Sequence, residues 1–150
     1  AEPLGRSALE LIACVLKAAR PSTTPLISAD EALRLRASEE IERRLVEGDV
    51  SVEALCKVLG VSRARLFAAF QKDGGVQAFV LTRRLDNARA ALADIYRHET
   101  IGTIAHRLGF SDAAHLSRSF RARYGMTPRE YRQLVATNLQ VMRTGTAPER

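Results

Sequence analysis

Apolar residues recur along this chain at helical spacing and nowhere alternate with the two-residue period of a strand. Leu4, Ala8, Leu11, Ile12, Val15 and Leu16 share one face and predict a helix over 4–19. Arg20-Pro21-Ser22-Thr23-Thr24-Pro25 breaks that pattern, so 21–29 reads as a linker. Ser28-Ala29-Asp30-Glu31 has the form of a capping box and opens a helix to about Glu47. Its predicted stripe is Ala37, Ile41, Leu45 and Val46, and Gly48-Asp49 ends it.

The next elements come in two copies. Ser51 can cap a short helix with Val52, Leu55, Cys56 and Leu59 apolar; Gly60-Val61 turns the chain, and Ser62 can cap a helix with Leu66 and Phe70 inward. Leu55, Leu59, Gly60 and Val61 recur 49 positions on as Ile104, Leu108, Gly109 and Phe110. Leu66 and Phe70 recur 50 positions on as Leu116 and Phe120, so the turn or the helix entry is one residue longer in the second copy. There Thr100 can cap the first helix, Gly109 can end it in the left-handed conformation, and Ser111 or Asp112 can cap the second. Helix, tight turn and helix at this spacing are a helix-turn-helix, whose second helix lies in the DNA major groove. Between the copies, Val76 to about Ile95 reads as one long helix with Phe79, Val80, Leu85, Ala88 and Leu92 apolar. Thr127-Pro128-Arg129-Glu130 then starts a last helix to about Leu139, and 140–150 is expected to be a disordered tail. The expected fold is all-α: two tandem helix-turn-helix units on a long central helix, preceded by an N-terminal helix.

Ile101, Ile104-Ala105, Gly109-Phe110-Ser111, Leu116, Arg118, Phe120, Gly125, Pro128 and Tyr131-Arg132 together resemble the C-terminal signature of AraC/XylS-family transcription regulators. Arg84-Leu85 followed by Ala88 matches the helix that spaces the family's two units. The resemblance covers about 30–136. It implies a DNA-binding domain over 30–139, with the first helix-turn-helix at about 51–72, the connecting helix at about 76–95 and the second at about 100–123. It also implies that residues 1–20 are the last helix of a regulatory or dimerisation domain otherwise absent; the alternative is that this helix packs on the rest of the chain.

In the first unit the groove-facing set is Ser62, Arg63, Ala64, Arg65, Phe67 and Ala68. Arg63 and Arg65 can reach guanine or phosphate, or stand as solvated helix-start charges. Relatives often carry Arg where this chain has Ala68, and a larger residue where it has Ala64. In the second unit the set is Ser111, Ala113, Ala114, His115, Arg118 and Arg121, with Arg118 matching the family pattern. The resemblance further implies a cytoplasmic, nucleoid-associated regulator, an activator touching RNA polymerase, with repression left open. A homodimer would form through the missing domain and residues 4–19.

Charge changes the picture by where it sits. Residues 1–50 carry a net −2, residues 51–136 +7 and residues 137–150 +1, out of +6 in all, so the positive charge gathers on the duplicated part. The two cysteines, Cys14 and Cys56, fall in apolar helical patterns and read as small buried residues of a reducing compartment. No apolar run approaches the ~20 residues that cross a bilayer. His98, His106 and His115 are the only histidines, no HExxH or phosphate loop occurs, and carboxylates are not paired. No cofactor, metal or catalytic residue is expected. A helical protein-interaction module is the rival reading, which explains the amphipathic helices but not the duplicated capping and turns.

Overall fold

The computed structural model describes residues 28–47 and 50–144. The predicted helix over 4–19, the linker up to residue 27, Cys14, Gly48-Asp49 and residues 145–150 lie outside the described residues. Among those described there are seven α-helices, one short 3-10 turn and no strand.

Helix α1, Ala29–Glu47, buries Leu33, Ala37, Ile41 and Leu45, one residue per turn. Val46 was expected in this stripe and is instead 87% exposed, because it follows Leu45 by 100° around the helix. The Ser28 hydroxyl accepts the Glu31 N–H at 3.1 Å, as the capping pattern predicts.

The first unit pairs α2, Val52–Leu59, with α3, Arg63–Ala69. Ser51 and Ser62 cap them by accepting from the N–H groups of Ala54 and Arg65. Gly60, at φ 66°, makes the turn, and Val61 N–H closes back on the Cys56 carbonyl at 3.1 Å. A 3-10 turn, Gln71–Asp73, leads into the connecting helix α4, Val76–Ala93. Helix α4 ends two residues before the expected Ile95; Asp94 leaves the helix and its carboxylate accepts the Tyr96 N–H.

The second unit pairs α5, Ile101–Arg107, with α6, Ala113–Tyr124. Thr100 caps α5 through the Thr103 N–H at 3.0 Å. The extra residue of the second copy falls at the helix entry: the cap stands two residues after Gly60 in the first unit and three after Gly109 in the second. Asp112 is that cap, accepting the His115 N–H at 2.6 Å, which frees Ser111 from the role. Helix α7, Pro128–Thr144, opens on a reciprocal box. Thr127 N–H donates to Glu130 at 2.7 Å, and Glu130 N–H donates to the Thr127 hydroxyl at 3.3 Å. The helix runs through 140–144, part of the expected disordered tail, because no glycine or proline interrupts it before Gly145.

Two separate cores result. The first joins α1, α2 and α3 to Val76 and Val80 of α4, with Phe70 at its centre. The second joins α5 and α6 to Leu85, Ala88 and Leu92 of α4, with Phe120 at its centre. Both phenylalanines are wholly buried, and Phe120 packs against the tilted rings of Tyr124 and Tyr131 at centroid distances of 4.5 and 5.7 Å. Cys56 is free and half-buried on the edge of the first core, rather than inside it.

Candidate nucleic-acid interface

Each recognition helix keeps one face in its core and turns the other to solvent. In α3, Leu66 and Ala69 are buried, which leaves Arg63, Ala64, Arg65 and Ala68 exposed. Ser62 is also exposed, with its hydroxyl already accepting from Arg65 N–H. Phe67 stands between the two faces: it is half-buried and packs on the first core, and the Arg63 guanidinium lies 5.7 Å from its ring centre. Arg63 also pairs with Glu53 on α2, Nη1 to Oε1 at 2.7 Å.

In α6, Leu116 and Phe120 are buried, while Ala114, Arg118 and Arg121 are exposed and Ala113 and His115 are half-buried. His115 is fixed on two sides. Its ring meets Phe110 edge-on at 5.3 Å, and its Nδ1 lies 3.2 Å from the Ser111 hydroxyl. Ser111 thus orients His115, a role the sequence pattern did not suggest. The Asp112 carboxyl is held below the usual carboxylate range, first by the His115 N–H bond. Its charge is spent on the helix N-terminus, where it is favourable. Arg123, on the same helix, is bonded to Tyr124 and Asp86.

The two units meet across a cleft of about 600 Å³. Arg63, the first residue of α3, and His115, the third of α6, both line it, so the leading ends of the two recognition helices open on the same space. Arg84 and Gln77 of α4 also line it, as does Glu53 of α2. Arg84 also donates to the Gly109 carbonyl at 3.0 Å, tying the connecting helix to the second turn. Family resemblance singled out Arg84, but only the fold places it here; Gln77 and Glu53 gave no sequence signal. Among the described residues there is no group of side chains able to hold a metal ion and no helix long and apolar enough to cross a membrane.

Two helix-turn-helix units on one connecting helix, each with its second helix turned partly to solvent, define a double-headed DNA-binding domain. A family described as a helix-turn-helix domain matches residues 55–134. The solved AraC-type regulator from Chromobacterium violaceum is 27% identical, with a TM-score of 0.65 over 73% of this chain and 96% of that one. A probable AraC family regulator from Rhodopseudomonas palustris is 29% identical, with a TM-score of 0.63 over 69% of this chain and 97% of that one. The chain belongs to the AraC family of helix-turn-helix DNA-binding transcription regulators. Two curated relatives are the transcriptional activator RhrA of Rhizobium meliloti (strain 1021), 29% identical over 97 residues, and the probable transcriptional regulator LumQ of Photobacterium leiognathi, 32% identical over 93 residues. These alignments cover 64% and 61% of this chain but 31% and 36% of the relatives, so the chain spans about a third of their length.

Proposed function

We propose that this chain binds an asymmetric, two-part duplex site as a monomeric unit, with α3 and α6 in successive stretches of major groove. The observation that carries the reading is the shared cleft: Arg63 and His115 open on one space, so one face of duplex can meet both helices. Successive major grooves on one face lie ~34 Å apart. In the first half-site Arg63 and Arg65 supply the polar contacts, while Ala64, Ala68 and the edge of Phe67 suit thymine methyl groups. Ser62 lies at the phosphate backbone. In the second half-site Arg118 reads a base or grips phosphate, and His115 presents its remaining ring nitrogen. Ala113 and Ala114 line the groove wall, with Ser111 and Arg121 toward the backbone at either end of α6. The basic character of 51–136 supports this placement, since neutralised phosphates release counterions and drive association.

On the family's pattern the chain acts in the bacterial cytoplasm as the reading part of a longer regulator. The name of RhrA, a transcriptional activator, supports activation. On the family's pattern RNA polymerase would be the second partner. Residues 4–19 and a preceding domain would provide a homodimer contact. No catalytic step and no cofactor enter this reading. Selection of bound sequences from random duplex DNA tests it. The expected result is a two-block motif with the blocks about one helical turn apart. Recovery of a single block, or of no enriched sequence, would overturn the two-headed reading.

A further inference from the structure

The two heads share no core. Val76 and Val80 anchor the first unit to α4, and Leu85, Ala88 and Leu92 anchor the second. At 100° per residue the two sets of anchors point in directions about 130° apart around the connecting helix. Apolar packing therefore seats each unit on α4, whose backbone sets the mean angle between them, and contacts that cross from one unit to the other limit how far either rocks on that helix.

Among the described residues a polar chain makes that crossing. Glu42 of α1 pairs with Arg83 of α4. Arg83 Nη1 lies 3.7 Å from Asp86 Oδ2, one turn further along α4. The other oxygen, Asp86 Oδ1, accepts the Tyr124 hydroxyl of α6 at 2.6 Å and lies 3.4 Å from Arg123 Nη2. Arg123 Nε in turn donates to the Tyr124 oxygen at 3.2 Å. Both oxygens of Asp86 are thus engaged on opposite sides: one facing the first unit through Arg83 and Glu42, the other holding the end of the second recognition helix. Burial and the neighbouring carboxylate push the Tyr124 hydroxyl up, which keeps it a donor.

We propose that Asp86 is a positioning residue that holds the two DNA-reading heads at one angle, and so narrows the range of half-site spacings this chain accepts. The proposal rests on the two-headed reading above. Asp86 lies outside the DNA-facing set, so it would act on spacing through Tyr124 and Arg123 and read no base itself. A directional hydrogen bond suits the task better than an apolar contact, because it fixes orientation as well as distance.

The test combines two measurements on the full chain. Residual dipolar couplings on the free protein report whether both units tumble as one body; duplexes with the half-sites moved apart or together one base pair at a time report spacing preference. The wild type is expected to fit a single alignment tensor and to favour one spacing. Asp86→Ala is expected to need a separate tensor for each unit and to bind neighbouring spacings with nearly equal affinity. Tyr124→Phe, which keeps the ring in its core and removes only the hydroxyl, is expected to shift both readouts the same way. Asp86→Asn, which keeps an acceptor for Tyr124, should retain more of the preference. A single tensor in Asp86→Ala, or a uniform loss of affinity at all spacings, would overturn the proposal and leave Asp86 a packing residue. If the wild type binds no duplex at all, the two-headed reading fails instead, and the couplings alone decide whether Asp86 fixes the angle.

Discussion

Arg63 Nη1 lies 2.7 Å from Glu53 Oε1, which holds the leading arginine of the first recognition helix against the helix before it. Both side chains are more than 60% exposed, so water competes for the pair and it adds little to stability, on the order of 0.2–1 kcal/mol. Its consequence for DNA is larger. Arg63 must leave Glu53 to reach a base or phosphate, and the carboxylate left behind repels the backbone. Glu53→Gln should therefore tighten binding to any duplex severalfold, more for scrambled sequence than for the cognate site, with the melting temperature almost unchanged. Fluorescence anisotropy at fixed salt checks this. Equal affinities for wild type and variant would place Arg63 off the DNA.

Arg118 is exposed two residues after the buried Leu116, on the outward face of α6. If it reads a base edge, Arg118→Ala should cost ~1–3 kcal/mol of specific binding and relax preference at one base position. If it grips phosphate, all sequences should weaken alike and the salt slope should fall by about 0.9. Titrations on the cognate duplex and its single-base variants, each at three salt concentrations, separate the two outcomes. No change in either would take Arg118 out of the interface.

The duplicated units were legible because their information is local. Ser51, Ser62 and Thr100 cap helices that the following three residues already define, and Gly60 and Gly109 mark turns that only a left-handed residue makes easily. Exposure of Arg65, Ala114 and Arg118 follows from helical period once Leu66, Leu116 and Phe120 are placed inside. What could not be read depends on which helices meet. The Arg63–Glu53 pair, the Arg84 bond to Gly109 and the Asp86 hub join residues 10, 25 and 38 positions apart through the fold. Such pairs leave no period in the chain. The end of α7 is hidden for another reason: Gln140 to Arg143 are polar and apolar residues that suit a helix or a tail equally, and no breaker marks a boundary at Leu139.

Gly60 and Gly109 offer a matched comparison. Both have positive φ, 66° and 75°, so an added Cβ strains the backbone at either. At Gly60 that Cβ meets nothing within 4 Å, whereas at Gly109 it falls 2.9 Å from the Arg84 guanidinium. Gly60→Ala should cost about 1 kcal/mol, the backbone term alone. Gly109→Ala should cost more, because Arg84 must also give way and weaken its bond to the Gly109 carbonyl. Urea denaturation of the two variants gives the difference directly, and equal losses would show that Arg84 moves aside freely.

Acid should loosen the caps before it loosens the cores. The carboxyls of Asp112 and Glu130 are held below their ordinary 3.8 and 4.5, chiefly by the backbone N–H groups of His115 and Thr127. Glu40 is brought down to about 2 by hydrogen bonds from Arg43 and Arg44. A carboxyl with a depressed folded value stabilises above its unfolded value, and that contribution disappears as pH falls through the folded one. Stability should thus be flat above about pH 5 and fall from there toward pH 2. Asp112→Asn keeps a good N-cap but removes its titration, so its acid limb should be shallower. Denaturation midpoints from pH 6 to pH 2 check the slope. An identical limb in the variant would mean that the Asp112 cap does not report on folding.

Separate cores imply separable losses. Phe120 is wholly buried and holds Tyr124 and Tyr131 around it, so Phe120→Ala should cost ~3–5 kcal/mol, a cavity that ring neighbours fill only in part. Leu55, wholly buried in the first core, should cost ~2–5 kcal/mol as Leu55→Ala. Neither side chain belongs to the other core. Helix α4 is the shared element, and its two sets of anchors are consecutive rather than interleaved. Hydrogen exchange should then show protection falling over α5 and α6 in Phe120→Ala while α2 and α3 stay near wild type. Leu55→Ala should show the reverse. A uniform drop across both units in either variant would mean that α4 melts as one piece and takes both heads with it. The two units would then form a single cooperative body despite their separate cores.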